Sequence, residues 1–139
     1  MIGTPELQQR VDDLLDAVED RRVEEVVRLF ERSGRLELPN RSGNYPKVLE
    51  GRESIRDFLH LFVRSFTSIR LIDRRYYRID LADMLVAEYR SEGQSYRGRP
   101  YRNRYVAFFE VGDEGIAVWR EYFAPTAISE ALRSEVSER

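Results

Sequence analysis

Residues Tyr101 to Pro125 read as two long strands joined at Gly112–Gly115. Side chains on a strand alternate between faces, so Trp119, Glu121 and Phe123 share one face. That alternation sets a single acid among large apolar residues. A carboxylate between Trp and Phe loses solvation, and its pKa rises toward values useful for proton transfer. An ion pair at a sheet edge fits the same alternation, and parity alone leaves both readings open.

The rest of the chain narrows the fold. Leu7, Val11, Leu14, Leu15 and Val18 recur at helical spacing over residues 5–19. Thr4 is the expected N-cap, with Pro5 at the first helical position. Asp20 is expected to cap a second helix that turns Val23, Val26, Val27 and Phe30 inward and stops at Ser33-Gly34. Arg35–Leu38 alternates as a short strand would, and Pro39 ends it. Residues 40–50 form the longest loop. A third helix over residues 52–66 carries a stripe of Ile55, Phe58, Leu59, Phe62, Val63 and Phe66. Strand-like stretches at 68–79, 84–96, 101–111 and 115–124 follow, with turn signals at Asp80–Asp83 and Gly98-Arg99-Pro100. A tail helix begins near Thr126, with Ile128, Leu132 and Val136 on one stripe. Helices first and strands afterwards predict an α+β domain, with helices packed on a curved antiparallel sheet around a conical pocket. The whole chain, 1–139, reads as one domain, with 126–139 as a short helix or tail.

Composition sets the boundaries. A net charge of −2 gives no electrostatic drive toward nucleic acid or an anionic membrane, and neither is expected as a partner. No apolar run reaches transmembrane length and no secretory signal is visible, so a cytoplasmic location is expected. The absence of cysteine removes disulfides and thiolate chemistry. His60 is the one histidine and falls off the apolar stripe of its helix. With scattered acids it gives no metal-ligand spacing, and no metal or cofactor is expected. Of the 23 basic residues only Lys47 is lysine. Arg97 to Tyr105 interleaves arginine with tyrosine, as some RNA-contacting segments do, but the overall charge argues against that role.

The helix–helix–strand opening, Gly51-Arg-Glu-Ser-Ile55 at the start of a helix, and a last strand ending Arg120-Glu-Tyr-Phe-Ala-Pro125 resemble the nuclear transport factor 2-like, or SnoaL-like, superfamily. Tyr101-Arg-Asn-Arg-Tyr105 together with that last strand is similar to the phenazine-biosynthesis A/B branch. The last strand is also similar to that of limonene-1,2-epoxide hydrolase. The resemblance implies a cone-shaped α+β barrel and, as is usual in the superfamily, a homodimer through the sheet. It also implies that Glu121, in the Arg-acid-aromatic motif, points into the pocket and moves a proton. Glu88 and Arg90 fall at the two pocket positions that hold an arginine and an aspartate in the epoxide hydrolase, with the charges exchanged. Leu38 stands before Pro39 where ketosteroid isomerases carry their catalytic aspartate. Ala124 replaces the asparagine of the phenazine branch.

The expected site follows from these positions. Glu121 is the general acid/base, and Arg90 and Tyr105 stabilise negative charge. Glu88, Asn103, Trp119, Phe123 and Glu37 complete substrate binding. Exposed ion pairing accounts equally for Glu88 and Arg90, and an edge-strand position for Glu37. The expected function is a cofactor-independent enzyme. It acts by general acid/base catalysis on a small, largely apolar secondary metabolite, through isomerisation, cyclisation, condensation or epoxide hydrolysis. The alternative is a non-catalytic small-molecule-binding or assembly domain on the same fold.

Overall fold

The spacing of Leu7, Val11, Leu14, Leu15 and Val18 places them on one side of helix α1 (Thr4–Glu19), where all are buried. The computed structural model describes residues 3–41, 46–79 and 83–133. After α1 come α2 (Val23–Leu29), strand β1 (Phe30–Glu37), the short strand β2 (Val48–Glu50) and α3 (Gly51–Ser65). Four long strands follow: β3 (Phe66–Ile79), β4 (Met84–Ser95), β5 (Pro100–Gly112) and β6 (Gly115–Tyr122). Helix α4 (Pro125–Leu132) ends the described chain. Val136 and most of the Asp80–Asp83 turn lie outside the described residues.

The helices and long strands fall where their periodicities put them, and the first half of the chain departs in detail. Gly3 rather than Thr4 is the N-cap of α1, Asp20 closes α1, and Arg22 precedes α2. Phe30 looks helical because it stands four residues after Val26, yet it opens β1 opposite Ile116. Ser33-Gly34 does not stop a helix. It lies in an irregular stretch of β1, between the paired residues Phe30 and Arg35. β2 was hidden in the long loop because three residues are too few to show a period. It pairs with β1 through Leu49 opposite Leu36.

The strand order is β2-β1-β6-β5-β4-β3. β3 to β6 form an antiparallel meander, and β1 pairs with β6 in parallel. The sheet is therefore mixed and open, which corrects the expectation of antiparallel pairing throughout. Alternation encodes which face a side chain takes; it carries no signal for the direction of a neighbouring strand. Two glycines permit close approaches. A Cβ on Gly93 would lie 2.2 Å from Ser68 O of β3. A Cβ on Gly115 would lie 2.5 Å from Leu29 O, and its φ of +149° suits only glycine.

Leu14, Leu15, Ile55, Phe30, Leu85 and Phe109 meet in the core between the helices and the inner face of the sheet. Each such side chain contributes about 1.5–3 kcal/mol through burial. The arginine excess has a structural use here. The last carbonyls of a helix lack partners within it, and a guanidinium offers a fork of donors to them. Arg52 Nη2 donates to Phe30 O beyond the end of α2 at 2.7 Å, and Arg21 Nη2 donates to Val63 O in the last turn of α3 at 3.0 Å. Arg97 Nε and Arg99 Nε donate to Leu132 O and Arg133 O at the end of α4, at 2.9 and 3.0 Å.

Candidate active site

Strand register builds the site. On the inner face Glu121 of β6 stands opposite Ala107 of β5, and Ala107 stands opposite Ala87 of β4. On one side of this row Trp119 is opposite Phe109, which is opposite Leu85. On the other side Tyr89 is opposite Tyr105, with the two rings stacked at 5.0 Å, and the Phe123 ring is 6.5 Å from that of Tyr105. Two alanines thus leave a lane between two bulky rows. The Tyr89 hydroxyl uses it, donating to Glu121 Oε2 from two strands away. Neighbouring strands lie about 4.8 Å apart, so the pair spans roughly 10 Å of sheet, a reach that larger residues than Ala87 and Ala107 would block.

Glu121 is half-buried, and no arginine or lysine is bonded to it among the described residues. Loss of hydration dominates, and its pKa is pushed up to about 7. The Tyr89 hydroxyl and the Trp119 indole N–H act against this by favouring the charged form. Tyr89 itself is buried beside the Glu121 charge, and both effects push its pKa well above that of a free tyrosine. It stays protonated wherever Glu121 titrates and so remains a constant donor. At neutral pH Glu121 populates both protonation states while keeping one hydrogen bond.

A second polar chain lies beside this pair. Asn103 Oδ1 accepts from the backbone N–H of Arg104 and of Ala124, both at 2.9 Å, which fixes its amide orientation. Its Nδ2 then donates to Ala124 O at 3.0 Å and to the Tyr101 hydroxyl at 2.8 Å. The Tyr101 and Tyr105 hydroxyls are 2.8 Å apart, and Tyr105 donates to Ser91 Oγ at 2.9 Å. Asn103 thereby pins the end of β6 just ahead of Pro125 and α4. The Tyr105 hydroxyl points inward as expected, but Ser91 and Tyr101 already engage it.

Trp119 and Phe123 share the face of Glu121. Trp119 also belongs to the core, stacked between Phe30 at 6.4 Å and Phe109 at 5.6 Å. Three other expected site residues are elsewhere, and the proposed Glu–Arg–Glu cluster does not form. Glu88 and Arg90 flank the inward Tyr89 and therefore face outward. Glu88 is exposed, and Arg90 pairs with Asp73 and with Glu92, the latter at 3.1 Å. Glu37 is also outward, bonded to Arg120 at 2.8 Å and Arg35 at 3.0 Å. The expectation for Glu88 and Arg90 comes from correspondence with the epoxide hydrolase, and that for Glu37 from an acid on the short strand. The alternation Leu85, Ala87, Tyr89, Ser91 is the signal that would have found Tyr89 and Ser91 instead, as Tyr101 follows from its parity with Asn103 and Tyr105. A depression of about 670 Å³ is lined mainly by outward residues, including Arg75, Glu88, Arg104 and Tyr122. Tyr89, Tyr105 and Phe123 of the inner face also line it, and Tyr89 is the residue bonded to Glu121. Among the described residues no group of three or more acids and histidines is placed to hold a metal ion.

The fold is a small α+β domain with a half-buried acid on the inner face of its sheet. Residues 11–119 match the model of the SnoaL-like domain, and the chain belongs to that family. It is 28% identical over 105 residues to the uncharacterised PhzA/B-like protein PA3332 of Pseudomonas aeruginosa, covering 75% of this chain and 74% of that protein. Its fold is similar to that of a putative isomerase from Bacillus subtilis, with a TM-score of 0.85 at 22% identity over 94% of this chain and 95% of that one. It is also similar to a putative polyketide cyclase from Xanthomonas campestris, with a TM-score of 0.78 at 18% identity over 91% and 96% of the two chains. No described helix is long and apolar enough to cross a membrane.

Proposed function

We propose that this chain is a single-domain, cytoplasmic enzyme of secondary metabolism that moves a proton on a small, largely apolar substrate through Glu121, without a cofactor. The observation that carries this reading is a half-buried carboxyl on the inner face, held by Tyr89, bonded to no cation among the described residues, and with its pKa pushed up to about 7. Such a group takes a proton from one atom and returns it to another at neutral pH. That favours isomerisation or cyclisation. Epoxide hydrolysis fits less well, because the arginine that would bridge two acids stands on the other face of the sheet. Trp119 and Phe123 would pack the substrate. The outer face, with Tyr77, Val106 and Tyr122 exposed, would serve a homodimer.

The test is turnover of a panel of small apolar ketones, lactones and epoxides by the wild type and by Glu121→Gln. A loss of about 10²- to 10⁴-fold on a turned-over compound is expected. Equal turnover by the variant sinks the mechanism. A second reading, ligand capture without reaction, draws on the Tyr105 hydroxyl, which is already engaged by Ser91 and Tyr101 and is not free to donate to a developing oxyanion. A compound that binds wild type and Glu121→Gln equally and is never converted would favour it.

A further inference from the structure

Tyr105 and Tyr89 stand directly opposite each other on β5 and β4, both buried, and their rings stack at 5.0 Å with 21° between their planes. Their hydroxyls lead in different directions. That of Tyr89 crosses the lane to Glu121, and that of Tyr105 runs to Ser91, two residues further along β4. A phenol carries one proton. Tyr105 gives its proton to Ser91 Oγ, so Tyr101 is the donor in the 2.8 Å contact between the Tyr101 and Tyr105 hydroxyls, and Tyr101 in turn accepts from Asn103 Nδ2. The chain therefore runs one way, from Asn103 to Ser91, and offers no proton to Glu121. Asn103 is itself fixed by the backbone of Arg104 and Ala124. Tyr105 is thus tethered at its tip and presents a fixed ring face to Tyr89, and aromatic pairs favour such an offset stack. In the lane, Ala87 and Ala107 are too small to confine the Tyr89 ring.

We propose that Tyr105 is a positioning residue, whose tethered ring holds Tyr89 in the arrangement in which the Tyr89 hydroxyl bonds to Glu121. This role rests on Glu121 being the acid of the site and adds what keeps its hydrogen-bond donor in place. Tyr105 acts through Tyr89 and makes no bond to Glu121. Burial pushes the pKa of Tyr105 well above that of a free tyrosine and that of Tyr101 up to about 12, and the Glu121 charge adds to both. Tyr89, Tyr101 and Tyr105 therefore all stay protonated while Glu121 titrates. A moved Glu121 midpoint then reads a change in the Tyr89 hydrogen bond or in burial, and the two have opposite signs. A lost donor raises the midpoint, whereas water admitted to the site lowers it.

The experiment is a double-mutant cycle read by ¹³C titration of the Glu121 carboxyl, whose resonance is identified by its loss in Glu121→Gln. Tyr89→Phe should raise the midpoint by about one pH unit, the loss of one hydrogen bond to a charged group. Tyr105→Leu leaves Tyr89 intact and should raise it by about half as much. In the Tyr89→Phe background Tyr105→Leu should add nothing, because there is no hydroxyl left to position. Tyr105→Phe keeps the ring and loses its tether, and should give a smaller shift of the same sign. Should Tyr105→Leu fail to fold, Tyr105→Phe carries the test through the same cycle. A Tyr105 variant that leaves the midpoint unmoved while Tyr89→Phe shifts it would overturn the proposal. So would a downward shift, which would make Tyr105 a barrier to water, or a shift that persists in the Tyr89→Phe background, which would mean that Tyr105 acts on Glu121 without Tyr89. A wild-type Glu121 that titrates in the ordinary carboxylate range would instead defeat the acid/base reading, while the coupling in the cycle would still decide the role of Tyr105.

Discussion

Glu37 and Glu121 lie on strands that are neighbours in the sheet, and their environments are opposite. Glu37 faces outward between Arg120 and Arg35, whose hydrogen bonds hold its pKa below the usual 4.5. Glu121 faces inward with no cation bonded to it among the described residues, and burial carries its pKa up to about 7. One residue type on one sheet thus gives an acid of lowered pKa on one face and an acid of raised pKa on the other. What separates them is strand parity together with what the opposite residues supply: arginine outside, alanine and tyrosine inside. The pKa of a carboxyl here depends as much on whether a partner charge is bonded to it as on the acid itself.

The largest effect that could break this contrast is catalytic. Glu121→Gln should cost about 10²- to 10⁴-fold in turnover of any compound the wild type converts. Glu37→Gln should stay within a few-fold. For a base role, the wild-type rate should rise with pH around a midpoint near 7, where Glu121 ionises. Two variants of equal activity would mean that the inner acid has no privilege over the outer one.

Stability gives the next largest effect, and its sign is diagnostic. The folded state binds the Glu121 proton more tightly than the unfolded chain does. Below pH 4.5 the group is protonated in both states and carries no penalty. The penalty grows as pH rises through the window from 4.5 to about 7, and it is complete above that. Glu121→Gln should therefore stabilise the protein by at most about 3 kcal/mol at pH 8 and leave it unchanged at pH 4. Urea unfolding at the two pH values reads this directly. A variant less stable than wild type at pH 8 would show that the carboxylate is well solvated in the native state.

The lane offers a third test. Ala107→Leu should cost about 1–3 kcal/mol by overfilling a packed site. It should also part Tyr89 from Glu121 and move the Glu121 midpoint upward, because a donor to the charged form is lost. A ¹³C titration of the Glu121 carboxyl would show it. An unmoved midpoint would mean that Tyr89 reaches Glu121 by a route that does not cross β5.

How much of this was legible depends on which signal each feature leaves in the sequence. Long helices and strands announce themselves by period, and Glu121 was found because Trp119, Glu121 and Phe123 alternate on a strand long enough to be unmistakable. The same rule applied to Leu85, Ala87, Tyr89 and Ser91 points to Tyr89. The correspondence with the epoxide hydrolase points instead to Glu88 and Arg90, which flank Tyr89 and face outward. Arg97 to Tyr105 shows the same lesson. Its interleaved arginine and tyrosine are the two faces of one strand, with Tyr101, Asn103 and Tyr105 buried and Arg102 and Arg104 exposed. The parallel pairing of β1 with β6 and the two-strand reach of Tyr89 were not legible. They depend on which strands become neighbours, and no local pattern records that.

The smallest expected effect is on the outer face, and it completes the comparison because its sign is reversed. Glu37 has a lowered pKa, so it favours the folded state above pH 4.5 and loses that contribution as pH falls through its folded value. Glu37→Gln should destabilise at pH 7 by up to about 1 kcal/mol, since the ion pairs are partly solvated and their attraction is screened. The cost should shrink in high salt and vanish at low pH. Measured in one set of urea titrations, the two glutamine variants should therefore diverge on raising the pH, Glu37→Gln falling below wild type while Glu121→Gln climbs above it. Parallel curves would mean that the two faces of the sheet do not differ in how they hold charge, and the case for Glu121 as a tuned acid would fall with that difference.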